Sequence, residues 1–199
     1  MKISENGRSM IEMLGVLSIV GVISVGGFSL VSRSLTMQRN SQIIADTASL
    51  ATSAKKLSCQ YDSGYTSYTS YLVQSEEYPT NFTYDTANSR FVGVDDVTYT
   101  VDHTTVGVHE YYKINVGALN EDQCIRMATS NWGTPQSSGF MGLAIGASDS
   151  RDCILAGSCS GSTAATVANT DGYPMSTANA ATHCSGSSNV IHLWYKGCH

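Results

Sequence analysis

GRSMIEMLGVLSIVGVISVGGFSLV, running from Gly7 to Val31, is the stretch whose reading decides how the rest of the chain folds. From Met10 to Val31 it holds twenty-two residues whose only charged member is Glu12. At about 1.5 Å per residue, a helix of that length reaches across the roughly 30 Å hydrocarbon layer of a bilayer. Lys2 and Arg8 precede the run while Arg33 and Arg39 follow it, so flanking positive charge leaves the orientation open. A removable secretory signal has a shorter apolar stretch followed by a small-x-small cleavage site. Here the run is longer, carries an acid near its start, and passes into Ser32–Lys56 without a proline or turn signal. The pattern predicts a membrane helix that stays on the protein.

A carboxylate inside a bilayer costs a few kcal/mol, so Glu12 needs a partner or a local role. The local role is a capping box, Ser9-x-x-Glu12, in which the acid reaches back to the start of the helix. The other reading comes from its surroundings, Gly7-Arg8-Ser9-Met10-Ile11-Glu12-Met13-Leu14 behind the short polar leader MKISEN. In these residues the chain resembles the type IV pilins and the related pseudopilins. Their leader is cut on the cytoplasmic side of the apolar segment, directly after a glycine, and a glutamate lies five residues into the mature chain. Gly7 and Glu12 match in kind and spacing, whereas Asn6 and Arg8 stand where the family usually has a basic and an apolar residue.

The resemblance implies that a prepilin peptidase cleaves between Gly7 and Arg8, that the new amino group of Arg8 is N-methylated, and that the apolar helix is kept. It also implies an assembly role for Glu12, whose carboxylate would lie near the amino terminus of a neighbouring subunit in a filament. In low dielectric that pairing offsets the penalty each charge carries alone, and a mis-registered subunit leaves both unpaired. Gly15, Gly21, Gly26 and Gly27, interspersed with Ser18, Ser24 and Ser29, let helices approach closely in lipid, and each glycine weakens a helix by roughly 1 kcal/mol relative to alanine. Many family members carry a proline late in this segment. This chain has none there, so local unwinding during assembly is expected between Gly21 and Gly27.

The 199 residues are 42% hydrophobic and only 14% charged, with a formal net charge of −5. Solvated domains usually carry roughly a quarter charged residues, so this surface relies on Ser, Thr, Gly and Asn. Charge is unevenly placed, net +3 up to Lys56 and −8 beyond it. An acidic body repels phosphate backbones, which argues against nucleic acid as a partner. Cys59, Cys124, Cys153, Cys159, Cys184 and Cys198 all lie beyond the apolar segment, and no C-x-x-C pair is present. That even count in a polar body points to disulfides in an oxidising compartment rather than to free thiols or zinc. The body is therefore expected outside the cytoplasm and the N-terminus inside it.

From Ser32 to Lys56, Leu35, Ile43, Ile44, Ala48, Leu50, Ala51 and Ala54 recur at spacings of three and four, with Arg39, Asp46 and Lys55 set on other faces. One continuous helix from about Ser9 to Leu57 is predicted, its apolar half protruding and its amphipathic half packed on a sheet. A Tyr-rich connector from Tyr61 to Tyr84 reads as a loop or short helical turn region, or else as an adhesive or subunit contact through exposed aromatics. Asn81-Phe82-Thr83 fits the N-glycosylation pattern. Alternation predicts strands at Phe91–Val101, His109–Val116, Gly139–Ile145 and Asn189–Lys196, with a short helix over Ala118–Ala128 capped by Asn120. The expected class is α+β, a type IV pilin-like fold with a long N-terminal helix on an antiparallel sheet. Its expected segments are a leader (1–7), a transmembrane and filament-core helix (8–31), an amphipathic continuation (32–57) and a disulfide-bonded globular domain (58–199).

A helix bearing Cys124, a long Gly/Ser/Thr-rich stretch, and Cys184 leading into a late strand are similar to type IVb pilins. That similarity implies a Cys124–Cys184 pair bounding the C-terminal region. Cys153 and Cys159 are spaced for a small local loop across ILAGS, which leaves Cys59 with Cys198. Six cysteines permit fifteen connectivities.

No G-x-S-x-G elbow, no phosphate-binding G-x-x-x-x-G-K-[ST], no H-E-x-x-H and no G-x-G-x-x-G after a strand is present. His183-Cys184 and Cys198-His199 are adjacent pairs, which is not zinc spacing, and Asp95-Asp96 reads as a hydrated turn rather than a calcium site. No catalytic residue, metal or cofactor is expected. The expected protein is a structural subunit, not an enzyme. It is made as a membrane precursor, polymerises with copies of itself through the assembly machinery of the inner membrane, and reaches the cell surface as a filament serving adhesion, aggregation, motility or DNA uptake. Two other readings are a pseudopilin of a type II-like secretion system and a membrane-anchored extracytoplasmic binding domain.

Overall fold

From Asn40 to Leu57 the buried positions are Asn40, Ile43, Asp46, Thr47, Leu50, Ala51, Ala54 and Leu57, recurring at spacings of one, three and four that only a helix presents to one side. They belong to α1 (Asn6–Gln60). The computed structural model describes residues 6–60, 67–146, 154–155, 164–166 and 173–198, with side-chain surroundings for all of these except 6–9, 23–29 and 164–166. The chain divides into two compact units, Met1–Arg39 and Asn40–His199.

In the second unit, seven strands form one antiparallel sheet: β1 (Thr83–Asp85), β2 (Arg90–Val92), β3 (Thr98–Val106), β4 (His109–Leu119), β5 (Phe140–Ile145), β6 (Ala164–Thr166) and β7 (Asn189–Lys196), in the order β1-β2-β3-β4-β7-β5-β6. The last strand thus lies inside the sheet, between β4 and β5. Three short helices lie among the fully described segments of the unit: α2 (Tyr68–Ser75), α3 (Glu121–Thr129) and α4 (Thr177–His183). The architecture is α+β, a long N-terminal helix with an antiparallel sheet.

Ile43, Leu50, Ala54 and Leu57 share one hydrophobic cluster with Tyr99, Val101, Tyr112, Ile114, Leu193 and Tyr195. Tyr112 fixes the helix on the sheet by donating its hydroxyl to the Ala51 carbonyl at 3.2 Å, while its ring stacks on Tyr195 at 5.1 Å. A smaller cluster gathers Tyr111, Ala144, Ile154 and Trp194, with the Lys113 ammonium 5.4 Å from the Trp194 ring. Gly139 enters β5 at φ +81°, and a Cβ there would meet the Lys196 carbonyl at 2.8 Å, so only glycine fits where β5 joins β7.

Several expected boundaries move. Leu35 and Ala48 are exposed, Ile44 is only half-buried, and Asp46, expected on another face, is 4% exposed. Its burial is tolerated because Gln42 Nε2 and Asn81 Nδ2 donate to its two oxygens at 2.8 and 2.7 Å. That contact also occupies the amide nitrogen of the glycosylation pattern. The strand expected over Phe91–Val101 is broken by a 3₁₀ turn, Val94–Asp96, where Asp95 and Asp96 have φ of 56° and 59° and cannot continue a pleat. Ala118 and Leu119 end β4 through a register shift instead of starting a helix. The Tyr-rich connector supplies α2 and β1, and Tyr68 in it is buried.

Burial, aided by the nearby Glu110 charge, pushes the Tyr68 phenol up to about 12, and burial first of all pushes Tyr99, Tyr112 and Tyr195 up as well. The fold favours the neutral phenols. The contribution of each to stability is therefore complete below the ordinary value near 10; that of Tyr68 is lost as pH climbs through about 12, and those of Tyr99, Tyr112 and Tyr195 as pH rises above their own raised values. In an alkaline titration followed by phenolate absorbance, we expect some of the eleven tyrosines to ionise reversibly near pH ~10 and the buried ones only together with unfolding. A single reversible step for all of them would contradict this core.

Candidate assembly site

Within the first unit, Met10, Ile11, Met13, Leu14, Val16, Leu17, Ile19, Val20 and Val22 are exposed to between 53% (Val20) and 76% (Val22). Successive residues turn by about 100°, so these side chains cover every side of the helix rather than one stripe. Leu30 and Val31 are exposed in the same way, at 72% and 57%. Among the described residues, no helix is long and apolar enough to cross a membrane. The expected span, residues 10–31, runs through 23–29, whose side chains lie outside the described residues.

Glu12 is exposed among these apolar neighbours. Because α1 starts at Asn6, Ser9 and Glu12 sit inside the helix and no acid falls in its first turn. The capping-box explanation of Glu12 is therefore not realised. Ser18 Oγ donates to the Gly15 carbonyl at 2.8 Å and Thr36 Oγ1 to the Ser32 carbonyl at 3.1 Å, so these hydroxyls satisfy themselves on their own helix. A Cβ built on Gly15 or Gly21 meets nothing within 4 Å. The chain's own packing does not require glycine at either position. Gly7, Arg8, Gly26 and Gly27 lie in α1, and their surroundings are outside the described residues.

Among the described residues of the second unit, two disulfides are present. Cys124, buried in α3, joins Cys184 at the C-terminal cap of α4, with Cα atoms 5.7 Å apart. Cys59, in the last turn of α1, joins Cys198 just past β7, with Cα atoms 5.0 Å apart. Cys153 and Cys159 lie outside the described residues. Helix α3 is placed by a reciprocal cap: Asn120 Oδ1 accepts from the Gln123 backbone and Gln123 Oε1 from the Asn120 backbone, both at 3.0 Å. The side chain of Gln123 also donates to Asp95 at 3.1 Å, tying the 3₁₀ turn to this helix. Among the described residues, no three His, Cys, Asp or Glu side chains are grouped to hold a metal ion.

Sequence reasoning missed the Gln42–Asp46–Asn81 junction. Its signal was positional, since Asp46 stands three residues after Ile43 and four before Leu50, inside the apolar repeat. No known protein family matches this chain, and comparisons with curated proteins and with solved structures return no match.

Three measurements follow from this geometry. Gly15→Ala and Gly21→Ala, made singly, are each expected to stabilise α1 by about 1 kcal/mol, visible as greater helicity by circular dichroism in detergent; a loss of helicity would mean that the glycines serve the subunit's own fold. Replacing Cys124 and Cys184 together with serine removes a bridge across a separation of 60 residues and is expected to cost about 4 kcal/mol in denaturant unfolding. Non-reducing peptide mapping should recover those two cysteines in one fragment, and Cys59 with Cys198 in another.

Proposed function

We propose that this chain is a type IV pilin-like structural subunit, held in the inner membrane as a precursor, cut by a prepilin peptidase between Gly7 and Arg8, and polymerised through the first half of α1 into an extracellular filament. The observation that carries this reading is the exposed, all-round apolar surface of residues 10–22 with Glu12 as its single charge. A helix that is apolar on every side is stable only when something covers all of it. Lipid covers it before assembly, and the same helices of other copies cover it afterwards.

Glu12 gives that packing its register. A carboxylate among apolar helices is costly until a cation reaches it, and the amino group freed at Arg8 on an adjacent subunit is the cation that polymerisation supplies. N-methylation of Arg8 leaves that charge in place. Gly15 and Gly21, which the isolated subunit does not need, let neighbouring helices come close. The two disulfides suit a body that works outside the cytoplasm, and they favour a long-lived surface fibre over a short periplasmic stalk. The filament and its partner proteins, rather than a catalytic group of this subunit, would carry adhesion, aggregation, motility or DNA uptake.

Intact-mass analysis of the sheared surface fraction of expressing cells tests the proposal. A mature chain beginning at Arg8 and recovered in filaments is the expected result. Glu12→Ala is expected to reduce fibre yield at least about tenfold, the consequence of losing roughly 1.4 kcal/mol or more per subunit contact, while the precursor accumulates in the membrane. A full-length monomer confined to the membrane, or normal fibres from Glu12→Ala, overturns it.

A further inference from the structure

A cavity of about 330 Å³ opens in the second unit, between α1, the sheet and the 131–138 loop. That volume is at the small end of ligand sites, enough for about one ring and its substituents. One wall is the strip Ala48, Thr52 and Lys55, at helical spacing beside the buried face of α1. The floor is apolar, made by Ala51 and by Tyr112 and Tyr195. Trp132 forms the opposite wall and is 8% exposed.

The walls are fixed before any ligand arrives. Trp132 Nε1 donates to the Met127 carbonyl at 3.0 Å, and Ser138 Oγ donates to the Trp132 carbonyl at 3.0 Å while accepting from the Phe140 amide at 3.2 Å. Tyr112 is anchored by its bond to Ala51. A site whose side chains are already locked loses little entropy on binding.

Internal bonds also decide what the lining has left to offer. Asn131 Oδ1 accepts from the Gly133 amide at 2.9 Å and from the Tyr173 hydroxyl at 3.4 Å, and Thr52 Oγ1 donates to the Ala48 carbonyl at 3.0 Å. Among the described residues, Asn131 Nδ2 and the Lys55 ammonium engage no partner. The cavity therefore presents donors and a positive charge at its rim over an apolar floor, on a body whose net charge beyond Lys56 is −8. Its complement is a small molecule with an anionic acceptor at one end and an apolar flank.

We infer that this cavity binds a single six-membered ring bearing a carboxylate, the ring flank on Ala51 and Trp132 and the carboxylate at Lys55 and Asn131. Acidic sugars and alicyclic acids share that chemistry, and the test separates them. Full-length protein in a non-ionic detergent is titrated by calorimetry with D-glucuronate, with cyclohexanecarboxylate and with D-glucose. Saturable binding of either acid, with D-glucose at least about tenfold weaker, is expected; binding by glucuronate alone identifies a sugar, and binding by cyclohexanecarboxylate alone a non-sugar acid. Lys55→Gln is expected to weaken binding at least about tenfold by removing the charge, and Ala48→Phe to abolish it by filling the cavity while Lys55 remains. Lys55→Gln is a substitution at a partly exposed site, so it keeps the test decisive even if Ala48→Phe folds poorly. No saturable binding of either acid, equal binding of glucose, or affinity unchanged in Lys55→Gln overturns the assignment.

Discussion

The seam between residues 40–57 of α1 and the sheet is the constraint on which the second unit depends. Strands β3, β4, β5 and β7 are placed by reference to that surface, because Ile43, Leu50, Ala54 and Leu57 share one continuous cluster with them. Apolar area is the driving force, at roughly 25 cal/mol per Å² removed from water. Several polar groups within the seam are satisfied internally. Tyr112 reaches the Ala51 carbonyl, Thr47 Oγ1 donates to the Ile43 carbonyl at 2.7 Å, and Asp46 is held by Gln42 and Asn81. The same helix carries two incompatible surfaces in sequence, one apolar on all sides and one apolar along a stripe. The first needs covering from outside the subunit and the second from within it.

How much of this was legible depended on whether the signal was local. The α3 cap was readable because Asn120 and the acids behind it define a helix start within a few residues. Strand β7 was readable because Asn189–Lys196 is rich in β-branched and aromatic residues with no proline or glycine, and its bounds agree with the structure. The break in Phe91–Val101 was legible only in part, because Asp95-Asp96 reads as a hydrated turn rather than a calcium site while the alternation on either side carries one strand straight through it. Asp46 was misplaced for a different reason. A charge argues for solvent on average, and only the tertiary partners Gln42 and Asn81 reverse that. Asn81 is remote in sequence, so no window along the chain contains the answer.

The candidate assembly surface shows the opposite balance. Its apolar run and lone acid are fully local and were visible at once. The coordinates add that Ser9 is inside the helix, so Glu12 is not needed to finish the helix start, and that Gly15 and Gly21 border open space. The ligand cavity had no sequence signal. Lys55 reads as an ordinary solvated charge, and Asn131 and Trp132 as loop residues. Only the folding of α1 over Tyr112 and Tyr195 brings them together.

The bond between Cys59 and Cys198 has a mechanical consequence. It joins the end of the long helix to the second residue beyond the interior strand β7, closing the intervening chain, a separation of 139 residues, into a covalent ring. A tensile force entering along the helix and leaving beyond Cys198 is carried across that ring by one sulfur bridge. The sheet, its hairpins and the smaller Cys124–Cys184 ring lie in the parallel branch and are shielded from extension. Under traction on such a body, its folded interior would be the last part to yield.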